Sequence, residues 1–380
     1  MTEKLYYKSA YVKNFCAKVL SLAECDRGYD VILDKTAFFP EEGGQSSDTG
    51  IIGGAKVVHV FEDNGTIHHI CENKPSSDDV ECCIDFIARF EKMQCHTAEH
   101  ILCGIIHKLF GFENVGFHLG EDEVVFDVDG VLTREELDKV EALANEAVFA
   151  NANVITWFPT ADELPEIEYR AKLDLTEGVR LVKIGDVDVC ACCAPHVERT
   201  GEIGMIKILD FMKHRGGTRI WMVAGKRALL DYRARYENIK KISGLLSAPQ
   251  SDVAEVLSEF LNENTKIKNN CKAARLKIAE LYAEKIEPTD GSSVFLLDDF
   301  TIPEMIAFSN IACNKIGAIC VALSGIDGDF KYVISSTNVD LKALVPEINK
   351  ALCGNGGGRS NMIQGSFATS LEEIKKYFKA

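Results

Sequence analysis

No apolar run among the 380 residues approaches the ~20 consecutive positions that a membrane-spanning helix requires, which excludes a helical membrane protein and a membrane partner. The opening MTEKLYYKSAYVKNF lacks the cationic-then-apolar layout of an export signal, so the expected compartment is the cytoplasm. Positive charge is short as well. Against 58 Asp and Glu stand 42 Lys and Arg, and a net charge of −16 argues against a chain that coats nucleic acid by overall attraction. The 14 cysteines lack the regular spacing of a secreted disulfide framework and read as free thiols of a reducing compartment. What remains, 46% hydrophobic and 26% charged, is a globular chain with room for roughly two to four domains.

The chain is organised around His96-Thr97-Ala98-Glu99-His100. Its setting, EKMQCHTAEHILCGII, is apolar and helix-like, with Met93, Ile101, Leu102, Ile105 and Ile106 able to line a buried stripe. Positions i and i+4 of a helix share one face, so His96 and His100 can share one metal ion. A cysteine and a histidine recur with the same offset in Cys192-Cys193-Ala194-Pro195-His196. His96, His100, Cys192 and His196 are four N/S ligands, the set that tetrahedral zinc prefers, and one zinc per chain is expected. Cys190 and Cys193 are further thiols, so the choice of Cys192 rests on the spacing. Three histidines with one cysteine is an unusual mix for a structural zinc, which leans on cysteine, and it points to a working metal. HTAEH also satisfies His-x-x-Glu-His, the pattern of inverted zinc peptidases in which the glutamate is a general base. Those enzymes complete their site with a distant carboxylate, whereas the partner here is a Cys/His pair. Outside such a role, Glu99 reads as a solvent-facing helix residue.

The expected fold class is α+β. Residues 1–85 alternate short β-rich segments with Gly, Asn and Asp, which predicts a small antiparallel β-barrel. In its loop TAFFPEEGGQSSDTG, residues 36–50, Pro40 fixes φ, Gly43 and Gly44 allow close backbone approach, and Gln45 offers a donor and an acceptor. Residues 86–228 form an α/β zinc-containing domain: a helix over 86–110 stopped by Gly111, a hairpin turning at Gly120-Glu121-Asp122, and a helix capped by Thr133 and Glu136. A strand over 179–193 then delivers Cys192, and a hairpin turning at Gly216-Gly217 closes the domain. Residues 229–287 are a helical linker or stalk broken at Pro249, and 288–380 are a small C-terminal Gly-rich α/β domain. Residues 205–285 hold sixteen Lys and Arg against nine Asp and Glu, an excess of seven positives; with the chain at −16, the remainder carries −23. One nucleic-acid-facing surface would show such asymmetry, and two solvated helix faces would show it nearly as well.

The HTAEH and CCAPH segments, followed by GEIG, resemble the editing domain of alanyl-tRNA synthetases and the free-standing alanyl-tRNA editing proteins of the AlaX group. FFPEEGGQSSDTG is similar to that family's Phe/Tyr-Pro-Glu-Gly-Gly-Gln segment, with Glu42 where glycine is frequent, and GNGGGRSNMIQG looks like the Gly-rich segment of the synthetase's C-terminal domain. The resemblance implies hydrolysis of the ester on tRNA(Ala) whose acceptor end carries serine or glycine. Gln45, Thr97, Glu99 and His118 are then the catalytic candidates. Thr36, Gly43, Gly44 and Gln45 are the candidates for the amino-acid pocket. Thr36, Thr97 and His118 are equally credible as structural hydrogen bonders. Gly357 and Arg359 are the tRNA-contacting candidates of the tail, which binds tRNA, assembles a homodimer with the helical stalk, or both. No Asp-His-His triplet is present, which removes the phosphoesterases that share such a tail. No aminoacylation domain precedes the barrel, so charging of tRNA is not expected. A zinc peptidase and a non-catalytic tRNA-binding protein are the alternatives.

Overall fold

The structure, a computed structural model, describes residues 2–120, 123–171 and 178–379; Glu121 and Asp122 of the predicted turn lie outside the described residues. The chain is mixed α+β and divides into two compact units, Met1–Lys240 and Lys241–Ala380.

The first unit begins with six antiparallel strands, β1 (Asn14–Cys25), β2 (Gly28–Leu33), β3 (Gly50–Ile52), β4 (Ala55–Asp63), β5 (Thr66–Cys71) and β6 (Asp79–Ile84). They close into a barrel in the order β1-β2-β5-β4-β3-β6, leaving no unpaired edge. The period of two explains which face is inside: in β6, Val80, Cys82 and Ile84 are buried and alternate with exposed residues.

Helix α1 (Phe86–Phe110) follows. The Asp85 side chain accepts from Ala88 N at its start, and Gly111 closes it in the left-handed conformation at φ 73°. The expected stripe is buried, and so are Gln94, His96, Thr97, Glu99 and His100, so α1 runs through the interior of the unit. Around it lie a four-stranded sheet and a three-stranded sheet. The first is built from β7 (Asn114–Leu119), β8 (Val124–Val128), β12 (Ile206–His214) and β13 (Gly217–Ala224), ordered β12-β13-β8-β7. The second is β9 (Val154–Trp157), β10 (Leu181–Ile184) and β11 (Asp188–Ala191). The single strand expected over 179–193 is therefore a hairpin; the chain reverses at Gly185, whose φ is 48°. Helix α2 (Arg134–Phe149) carries the predicted capping box of Thr133 and Glu136. Helix α3 (Gly225–Leu246) ends the unit's elements.

In the second unit, Ala279 and Ala283 of α4 (Val253–Glu284) pack with Met305, Phe308 and Ala312 of α5 (Ile302–Ala312). The sheet is ordered β14-β15-β16-β18-β17, from β14 (Ser293–Leu296), β15 (Cys320–Ile326), β16 (Asp329–Ser335), β17 (Gly354–Arg359) and β18 (Met362–Phe367), with α6 (Leu341–Ala351) and α7 (Leu371–Phe378) completing it. The Gly-rich segment is the hairpin β17–β18 at the sheet edge. Its glycines permit close packing: a Cβ on Gly356 would lie 2.2 Å from the Tyr332 hydroxyl. Among the described residues no helix is long and apolar enough to cross a membrane.

Candidate metal centre and its cavity

Helix α1 brings His96 and His100 onto one face, with ring centroids 5.1 Å apart. The segment after β11 brings Cys192 and His196 against them, and the ligating atoms of all four lie within 4.8 Å of one another. The rings are turned by what holds their second nitrogens. Gln45 Oε1 accepts from His96 Nδ1 at 2.8 Å. The Thr97 hydroxyl donates to Met93 O at 2.7 Å, so it accepts from His196 Nδ1 at 3.0 Å. His100 Nδ1 lies 2.6 Å from the Cys190 sulfur and 3.6 Å from Asp188 Oδ2, which Arg170 holds with two bonds of 2.8 and 2.7 Å. Each imidazole is thus left with Nε2 for the centre, and those of His96 and His196 stand 3.6 and 3.4 Å from Cys192 Sγ. Fixing the tautomer through the far nitrogen is what metal-binding histidines require. The donor set and its orientation fit a zinc ion.

Electrostatics separates the three neighbouring thiols. Burial works to raise the Cys192 thiol, but His96 and His196 outweigh it and hold the group well below its ordinary value. Burial pushes Cys190 up to about 12 and also raises Cys193, beside which Glu42 sits. Burial takes His196 down to about 3, the neutral form a ligand needs. Of the three thiols, Cys192 is the one whose surroundings favour the thiolate, although its segment after β11 is not helical and the helix-face argument from spacing does not reach it.

The centre opens on a cavity of about 460 Å³, whose wall includes His96, His100, Cys192, Glu99, Asn114, Phe117 and Gly43. Glu99 is not a solvent-facing residue. It is 3% exposed, and its Oε1 accepts from Asn114 Nδ2 and from the Cys103 thiol, while Oε2 stands 3.9 Å from His100 Nε2. Gly44 does not line the cavity. At φ 82° it lets the 36–50 loop join β7, donating from Leu119 N to Gly44 O at 3.0 Å, where a Cβ would meet Phe117 O at 2.5 Å.

Several predicted site residues stand elsewhere than expected. Gln45 and Thr97 lie behind the ligands, engaged to His96 and His196, rather than on the cavity wall. Thr36 is inside the barrel, where its hydroxyl is 2.8 Å from His69 Nε2 and accepts from Phe38 N, so it is removed from the pocket. His118 is exposed on β7: strand alternation turns it away from the face on which Phe117 meets His96. Arg359 is exposed at the end of β17, and Gly357 lies on the same edge strand of the second unit.

Sequence reasoning missed the groups that build the setting. Arg89, 1% exposed, binds Asp48 through Nε and Nη2 and donates to Ala37 O at 2.7 Å; Asp48 in turn accepts from Phe39 N. This pair ties the barrel loop to α1 and thereby sets Gln45 against His96. Its two residues are 41 positions apart, and only the apolar context of Arg89 could have drawn attention to it. Asn114, Arg170, Asp188, Tyr7, Phe158 and Arg180 were missed for the same reason.

Residues 179–221, which carry Cys192 and His196, match the family described as the threonyl and alanyl tRNA synthetase second additional domain. The class is thus that of proteins sharing a domain with these two synthetases. Over 98% of this chain and 96% of the other, the sequence is 28% identical to the alanyl-tRNA editing protein AlaX-L of Pyrococcus horikoshii. It is 31% identical to the alanine–tRNA ligase of Methanobrevibacter smithii over 96% of this chain and 44% of the ligase, and 31% identical to that of Halobacterium salinarum over 86% and 38%. The chain therefore spans about two fifths of the length of these ligases. Its likeness to the long form of the alanyl-tRNA editing proteins of the AlaX group thus runs along nearly the whole of both chains.

Proposed function

We propose that this protein hydrolyses the ester linking serine, and also glycine, to tRNA(Ala), and so corrects mischarging in trans. The observation that carries the reading is the convergence of three oriented imidazoles on the Cys192 sulfur at the wall of a deep cavity. His96, His100, Cys192 and His196 would hold a zinc ion, which would supply Lewis-acid polarisation and a fixed positive charge. Asn114 and Cys103 hold Glu99 Oε1 while Oε2 has no hydrogen-bond partner among the described residues, which suits it to take a proton from the attacking water. The proton lost by water is balanced by one delivered to the departing ribose oxygen. Gly43 and Phe117 shape the space beside the centre. Serine is favoured over alanine where a methyl leaves Glu99 Oε2 without the donor that a hydroxyl supplies, while glycine, with no side chain, puts no methyl against that carboxylate.

The second unit captures tRNA. Gly357 on the edge strand and the guanidinium of Arg359 suit a phosphate or a base edge, and the affinity falls steeply with salt. The same unit assembles a homodimer. Along α4, Leu257, Phe260, Asn264, Ile267, Cys271, Ala274, Ile278 and Leu281 recur at alternating steps of three and four, and all but the half-buried Asn264 are exposed. That period of 3.5 is a coiled-coil seam, and one asparagine at an a position fixes register and strand number.

Incubation with tRNA(Ala) charged with serine, glycine or alanine, with and without a chelator, tests the reading. Serine and glycine should be released much faster than alanine, and the chelator should stop the release. Equal rates for all three, or no release, would end it. Peptide cleavage without deacylation would return the His-x-x-Glu-His peptidase reading, which the Cys/His partner of His96 and His100 disfavours.

A further inference from the structure

The far wall of the cavity holds a positive charge that the proposed hydrolysis does not use. Arg180 precedes β10, is 6% exposed and lines the cavity. Its Nη1 donates to Cys192 O at 2.9 Å and Ala194 O at 2.8 Å. Among the described residues, Nε and Nη2 have no hydrogen-bond partner and no carboxylate forms an ion pair with the group; the main opposing charge on it is the Cys192 thiolate, which the histidines already share. Glu42, on the same wall, is exposed and faces the Cys193 thiol. A buried guanidinium costs several kcal/mol unless an anion or full hydrogen bonding compensates it, and holding two carbonyls needs only a neutral donor. The guanidinium also lies 5.5 Å from the Tyr7 ring centre, and Tyr7 meets Phe158 edge to face at 5.3 Å. Phe158 is 49% exposed, so an aromatic face is open to the cavity mouth.

A three-carbon amino acid does not fill about 460 Å³, a volume in the range of pockets for drug-sized ligands, ~300–1,000 Å³. An aminoacyl ester extends from the amino acid through a ribose to a base on one side and a phosphodiester on the other. The Arg180 wall adjoins the main chain of Cys192, so the nucleotide part of an ester placed at the metal centre reaches it. We propose that Arg180, Tyr7 and Phe158 form the subsite for the terminal nucleotide, with the guanidinium on its phosphate and the rings stacking on its base. The proposal rests on the ester-hydrolase reading for the placement of the substrate, but its binding chemistry stands apart from turnover.

Titration of the zinc-loaded full chain with 5′-AMP, adenosine and inorganic phosphate tests it without any reaction. Wild type should bind 5′-AMP about tenfold or more tightly than adenosine, as a charge-assisted phosphate contact requires. Arg180→Gln keeps one donor for the Cys192 and Ala194 carbonyls, so its zinc content should stay at the wild-type value while its preference for 5′-AMP disappears. Its KM for charged tRNA should rise about tenfold with kcat nearly unchanged. Phe158→Ala, which leaves the Cys192 segment untouched, should weaken 5′-AMP and adenosine alike. Equal binding of 5′-AMP and adenosine by wild type overturns the proposal. Loss of zinc in Arg180→Gln also overturns it, because Arg180 would then be a prop for the Cys192 segment. If 5′-AMP binds through Arg180 and no charged tRNA is hydrolysed, the subsite stands and the hydrolase reading fails.

Discussion

In the first unit each histidine of the cluster has its Nδ1 held by a buried neighbour: Gln45 for His96, Cys190 for His100, Thr97 for His196. In the second unit Arg359 and the α4 stripe are exposed, with Ile267 at 65% and Phe260 at 53%. The first arrangement is complete within one chain. Each ring is oriented through its second nitrogen, so a metal ion would enter a prepared donor set, although among the described residues Gln45 Nε2 stays buried without a hydrogen-bond partner. The second arrangement, on the proposed reading, meets a partner outside the chain, and its energy would be released only on association. Chemistry in this protein is therefore expected to fail through loss of internal contacts, and capture through loss of surface ones.

Breaking the internal arrangement at its centre should have the largest effect. Cys192→Ala removes the thiolate toward which the imidazoles turn, and metal analysis should find zinc near one per chain in wild type and close to none in the variant. Deacylation should vanish with it. Zinc equal in both proteins would transfer the ligand role to Cys190 or Cys193. The external arrangement is broken next by Ile267→Asp, which places a charge in the middle of the α4 seam. Light scattering should give twice the chain mass for wild type and the chain mass for the variant, with zinc content unchanged. A wild-type monomer at all concentrations would leave the stripe without a role in self-association.

A smaller effect sharpens the boundary between ligand and support. Gln45→Ala leaves His96 in place but frees its ring to turn, and loss of such a partner lowers metal affinity by about 10–100-fold. Competition with a graded chelator measures it. Unchanged affinity with a raised KM would put Gln45 back in the amino-acid pocket, where the sequence reading had it.

That His96 and His100 share a face could be read from the sequence because the i to i+4 offset is local and survives any packing of α1, whereas Cys192 and His196 meet them from a non-helical segment after β11, where the same offset gives no such guarantee. The barrel's strands were legible for a similar reason, being punctuated by turn residues, while their order was not, since β2 pairs with β5 and β6 pairs with both β1 and β3. The roles of Gln45, Thr36 and His118 were not. Gln45 meets His96 across 51 positions, and Thr36 meets His69 across 33, so the partners that claim these side chains are invisible to spacing. His118 was misassigned by a single step of strand alternation, since Phe117 faces the centre and its neighbour cannot. The strand pairing of the Gly-rich segment was not legible because glycine usually marks a turn, whereas here it lets β17 and β18 pack closely over Tyr332. Arg180 escaped notice because its aromatic partners come from distant segments and its carbonyl partners from main chain.

The smallest expected effect concerns the stability of the second unit alone. Arg275 on α4 donates to Glu304 on α5 through Nε at 2.5 Å and Nη2 at 2.9 Å, and Thr301 N donates to Glu304 Oε2 at 2.8 Å. Glu304 is 5% exposed while Arg275 is 42% exposed on its side chain, so solvent screens one partner only. The Arg275 hydrogen bond, followed by the Thr301 backbone contact, outweighs burial and takes the Glu304 carboxyl from 4.5 down to about 2. A folded-state value below the unfolded one means that the unfolded chain binds the extra proton first. The stabilisation is therefore fully present above pH 4.5 and is lost as pH falls toward about 2. Glu304→Gln cannot titrate, so its thermal midpoint should be lower than wild type at neutral pH, and the gap should narrow through that acid window. A gap that stayed constant from neutral pH down to the acid limit would mean that Glu304 holds α5 through the Thr301 cap and packing rather than through its charge on Arg275.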